Sequence, residues 1–138
     1  MDDAGYPAKS EDLIAALDFF GRRYDLWNTA DRGSPTAETL DFYATVIWTT
    51  GKSSVQTLIA DDRAALAAYV NNGGRLILFG TDWAYEQAEA GTGDSRAFIH
   101  DTLGIAYDAA AYQSEAGTIA LSAASGGGLN LEISEGDV

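Results

Sequence analysis

Cysteine is absent from this 138-residue chain, and histidine occurs only once. Disulfides, thiolate nucleophiles and cysteine-ligated zinc are therefore excluded. Basic residues are also scarce, 8 against 21 acidic ones, for a formal charge of −13 and a pI near 4.1. Such a surface repels a phosphate backbone and argues against nucleic acid or an anionic membrane as partner. Cations such as calcium remain compatible. No apolar run approaches the roughly 18 residues of a membrane span, so no membrane insertion is expected. Met1-Asp2-Asp3 is the opposite of a signal peptide's basic start, and export would need a signal upstream of it.

What is present suits a folded domain. With 46% hydrophobic and 11% aromatic residues, the chain can bury one core, which predicts a single domain over 1–138. Its acids lean towards Asp and it has only Lys9 and Lys52 as lysines, a bias of proteins that work outside the cell or in high salt.

Along the chain, Ser10-Glu11-Asp12 opens a helix with acids at the positive end of its dipole, and Leu13, Ile14, Leu17 and Phe20 form its apolar stripe before Gly21. "RYDLWN" predicts a short strand through Tyr24 to Trp27, and Ser34-Pro35 the start of a helical turn. "ATVIWTTG" is a β-branched and aromatic run that fits a strand covered on both faces. "ADDRAALAAYVNNGG" predicts a helix with Leu66, Tyr69 and Val70 inward and Gly73 or Gly74 as its stop. "RLILF" is the next buried strand. "DWAYEQAEA" reads as helix, "GTGDS" as a flexible connection, and "SRAFIHDTLG" as a helix with Phe98, Ile99 and Leu103 on one face. "IAY" adds a short strand, and "GTIALSA" and "GLNLEIS" alternate with period two around "SGGG", as a C-terminal hairpin would.

Strands alternating with helices imply parallel pairing, hence an α/β three-layer sandwich. "MDDAGYP" looks like the end of a strand whose apolar part is missing. The chain then reads as a fragment of a longer one, or as a sheet that does without its first strand.

The ordered set "DDAGY", "YDLWNTADRGSP", "VIWTTG", "LAAYVNNGGRLILFGTDWAYE" and "FIHDTLGIAY", from Asp2 to Tyr107, resembles the class I glutamine amidotransferase-like domains of large secreted bacterial proteins, often found beside peptidase or adhesive modules. The resemblance implies a flavodoxin-like, mostly parallel sheet flanked by helices. It also implies that "RLILFGTD" is the strand and elbow that carry the cysteine in true amidotransferases. Here the elbow holds Gly80, Thr81 and Asp82. A hydroxyl without a base is a poor nucleophile, and no His-x-Glu follows the elbow. His100, with Asp101 next to it, lies inside a helix, where adjacent side chains are not expected to share a face. No catalytic residue is therefore assigned.

Ligands of open α/β sheets bind beyond the carboxyl ends of the strands. This singles out Thr50, Gly51, Thr81, Asp82, Trp83 and Tyr85 as candidate ligand-binding residues. Asp2, Asp3 and Asp82 form a candidate site for Ca²⁺ or Mg²⁺, which select carboxylate oxygen; the alternative is that Asp2 and Asp3 are solvated and Asp82 caps the following helix. Trp27 and Trp48 read as core. "TADRGSP" lacks the oxygen spacing of a calcium loop and reads as a turn. A receiver domain, which "DDAGY" brings to mind, would need an aspartate where "TTG" stands.

The expected function is a non-catalytic accessory or protein-interaction domain of a larger exported bacterial protein, extracellular or on the cell surface and peptidase-associated. Its partners would be another protein, neighbouring domains of the same polypeptide or a second copy. The alternative is a hydrolase or a small-ligand or cation-binding module that uses the strand-end acids.

Overall fold

A computed structural model describes residues 10–51 and 55–107. The "DDAGY" start, with Asp2 and Asp3, and the C-terminal hairpin expectation lie outside the described residues. Within them the order is α1 (Ser10–Phe19), α2 (Thr29–Arg32), α3 (Ala37–Leu40), β1 (Thr45–Thr49), α4 (Ala60–Asn71), β2 (Arg75–Phe79), α5 (Trp83–Tyr85) and α6 (Gly93–Ala97). Helix α5 widens into a π-helical turn over Glu86–Ala90, and α6 into another over Phe98–Thr102.

The β-branched and aromatic runs form the strands, and β1 and β2 pair in parallel with Val46 beside Leu76 and Trp48 beside Leu78. Parallel neighbours need a crossover, and α4 supplies it. Its stripe of Ala65, Leu66 and Tyr69 is buried, together with Leu40, Leu58, Phe98 and Ile99; Val46, Trp48, Leu76 and Leu78 pack against that cluster from the sheet. The helix ends as the glycines require. Gly73, at φ +90°, donates to the Val70 carbonyl and Gly74 to that of Tyr69, which closes the last turn in a Schellman arrangement.

The protein is thus mixed α/β with a parallel pair of strands, but the described sheet has two strands only, where a three-layer sandwich was expected. Tyr24–Trp27 forms no strand among the described residues. Its side chains tie it down instead: Tyr24 Oη donates to Asp18 at 3.0 Å, Tyr43 Oη to Asp25 at 2.7 Å and Trp27 Nε1 to the Gly33 carbonyl at 2.8 Å. "IAY" is likewise not a strand, and Ile105 packs on the core. Among the described residues α4 covers one sheet face, and Ile77, which points away from α4, is 52% exposed. Phe20 falls just past α1 and is exposed, while Leu13, Ile14 and Leu17 are half-buried. "GTGDS" contains the start of α6, not a loose connection, because Ser95 is buried and donates to the Gln87 and Thr92 carbonyls, both at 2.9 Å.

Candidate functional site

The carboxyl ends of β1 and β2 bring Thr50, Gly51 and Thr81 together, as expected from the sequence. They meet through backbone. The Thr50 amide donates to the Phe79 carbonyl at 3.0 Å and the Thr81 amide to the Gly51 carbonyl at 2.9 Å, so the two loops are laced together. Gly80, at φ +149°, is what permits this approach: a Cβ there would lie 1.9 Å from Thr50 Oγ1. That hydroxyl is buried without a partner among the described residues.

Asp82 adopts a left-handed conformation, φ 59°, which aspartate tolerates better than most residues. Its side chain does not cap α5; its carbonyl accepts from the Glu86 amide at 2.8 Å. Trp83 packs against the core cluster and Tyr85 is 43% exposed, so the two aromatics of the elbow diverge. Of the candidate cation ligands only Asp82 is described. Among the described residues no three His, Cys, Asp or Glu side chains are grouped as a metal site would require.

His100 and Asp101 do pair, with Nδ1 2.7 Å from Oδ1, contrary to the expectation that adjacent residues would diverge. Both side chains are long enough to turn towards each other over the surface of the π turn, and both stay more than two-thirds exposed. A pair so open to water gains little. It lies on the π turn after α6.

Comparison with protein-family models, with curated proteins and with solved structures finds no match. Chemistry is therefore read from the surfaces themselves.

The most elaborate polar arrangement lies beside an open cleft of about 240 Å³ between the 55–60 loop, α4 and the π turn. Glu86 accepts from the Gln56 amide at 2.7 Å, the Thr57 amide at 3.1 Å, Thr57 Oγ1 and Gln87 Nε2. Burial pushes its carboxyl up, but these hydrogen bonds, Thr57's foremost, outweigh that and hold it below the usual glutamate range. Gln87, 2% exposed, also donates to the Leu58 carbonyl at 3.1 Å, and Arg63 Nη1 bridges that carbonyl and Gln87 Oε1. The Glu86 carboxylate, the Gln87 amide and Arg63 Nη1 together clamp the loop to the helices. A carboxylate committed to four donors is a structural group, not a general base. These residues escaped sequence reasoning because partners 29 and 30 positions apart leave no mark on local periodicity.

Proposed function

We propose that this chain is a non-catalytic protein-interaction or accessory domain, working as part of a larger exported bacterial protein of the amidotransferase-like kind that its motifs resemble. The observation that carries the reading is the distribution of apolar side chains. Phe19, Phe20, Leu26 and Phe42 are all more than 60% exposed while the strand-end loops are closed on each other. Apolar surface on a charged, soluble chain is costly unless it meets something. Catalysis finds less support: the hydroxyl of Thr81 sits on the elbow, whereas the sole histidine of the chain lies elsewhere and is bound to Asp101. Without a base, a hydroxyl at neutral pH is not a competent nucleophile.

The test is turnover. Purified protein is expected to show no hydrolysis of generic amide, ester or glutamine substrates. A measurable rate that disappears in Thr81→Ala would overturn the reading and restore the hydrolase alternative.

A further inference from the structure

The guanidinium of Arg63 is held at one end and open at the other. Nη1 donates to the Leu58 carbonyl at 2.6 Å and to Gln87 Oε1 at 3.1 Å, which fixes the group in place without neutralising it, since both acceptors are uncharged. Among the described residues Nε and Nη2 have no hydrogen-bond partner, and no carboxylate pairs with the group. These two nitrogens share one edge of the planar guanidinium, so their N–H bonds run parallel. That edge is the fork on which a carboxylate sits with both oxygens. The acids beside it are committed elsewhere, Glu86 to Gln56, Thr57 and Gln87, and Asp62 Oδ2 to the Ile59 amide at 3.1 Å.

Half-buried Arg63 lines the open cleft of about 240 Å³, together with Leu58, Ile59, Glu86 and Gln87. This is less than the roughly 300–1,000 Å³ of a pocket for a drug-sized ligand, but it has room for one terminal residue, and its open mouth lets a longer chain lead away. Leu58 and Ile59 give that residue an apolar wall. The charge of the molecule then selects among carboxylates. At a net −13 the protein repels a ligand that is anionic throughout, whereas a basic peptide with a free carboxyl end sets its one negative group on Arg63 and its positive groups against the surrounding acids.

We propose that this cleft captures the C-terminal carboxylate of a basic segment of a partner protein, with the Nε and Nη2 edge of Arg63 as the anchor. This deepens the interaction-domain reading and rests on it. The test is calorimetric titration of the full chain with a short lysine-rich peptide ending in leucine, once with a free carboxyl end and once amidated. The amide carries one more net positive charge and would be favoured by general attraction alone, so the free acid binding about tenfold tighter or more is the expected signature of the fork. Arg63→Lys is expected to remove most of that difference, because an ammonium offers no fork. Since Arg63 also ties down the 55–60 loop, a second variant leaves it in place: Ile59→Glu, at a position 44% exposed and outside the core cluster, sets a carboxylate at the cleft and is expected to weaken the free acid at least tenfold with an unchanged melting temperature. Acetate is expected to compete only at concentrations far above the peptide's. Equal binding of acid and amide, no binding of the free acid at millimolar concentration, binding that survives both variants, or acetate as tight as the peptide each overturns the proposal. Any of these would leave the interaction-domain reading standing; turnover abolished by Thr81→Ala would sink that reading itself, whether or not the peptide binds.

Discussion

Glu86 shows how much one side chain can organise. Its carboxylate collects four donors, three of them from Gln56 and Thr57, and so fixes a loop in which Gln56 is held at φ 52°. Because these bonds favour the ionised form, its folded-state affinity for protons lies below that of an unfolded glutamate. By linkage it contributes stability that is fully present above the unfolded pKa, about 4.3, and is lost as pH falls through the lower folded value. Glu86→Gln keeps the size but supplies an amide where acceptors are needed. The variant is expected to melt below wild type at neutral pH, and the gap is expected to narrow as pH falls below about 4. Melting curves across pH check this, and a gap that stays constant into acid would refute the clamp. Nothing around Glu86 in sequence announces the role.

At the scale of elements, the junction of α4 and β2 is organised around one buried tyrosine. Tyr69 is 1% exposed, and its hydroxyl donates to the Tyr43 carbonyl at 3.0 Å and accepts from the Arg75 amide at 3.2 Å. The ring fits only because Gly74 lacks a side chain: a Cβ there would lie 2.3 Å from it. Gly74→Ala should therefore cost about 2 kcal/mol, the usual penalty of overpacking a closed core, through displacement of the ring and its two bonds. Urea unfolding with an unchanged slope would measure it, and a loss below about 0.5 kcal/mol, the scale of a surface substitution, would contradict the packing described. This junction was readable beforehand, since an alanine-rich periodic helix, a glycine stop and an apolar strand are local signals. Tyr24–Trp27 was not, because alternation over four residues shows that a segment can pair and not whether a neighbour is there. The π turns were equally hidden. Phe98 accepts from the amide of Leu103, five residues on, at 3.1 Å, a wider turn that lets Phe98 and Ile99 both face the core.

For the whole molecule, charge is the dominant long-range term. A net −13 on 138 residues, with no lysine or arginine salt bridge among the described residues, means that like charges repel with little local compensation. Salt shortens the reach of that repulsion to about 8 Å at physiological strength. The melting temperature is accordingly expected to rise on going from low to moderate sodium chloride, with Ca²⁺ and Na⁺ at matched ionic strength acting alike if screening is the cause. A fall in melting temperature with salt would refute self-repulsion, and a rise confined to Ca²⁺ would point back to the strand-end acids.

The sequence by itself determined the mixed α/β class, the positions of β1, α4 and β2, the inward faces of Leu66, Tyr69, Phe98 and Ile99, and the meeting of Thr50, Gly51 and Thr81 at the strand ends. These follow from periodicity and glycine placement, which act over a few residues, and from the obligation of consecutive parallel strands to be joined by a crossover. Only the tertiary structure decided that the strand-end loops close on each other through Gly80, that Glu86 is spent on a loop 30 residues away, and that Phe19, Leu26 and Phe42 are left exposed. Those outcomes depend on which distant groups compete for the same space and the same hydrogen bonds, a competition that local pattern does not record.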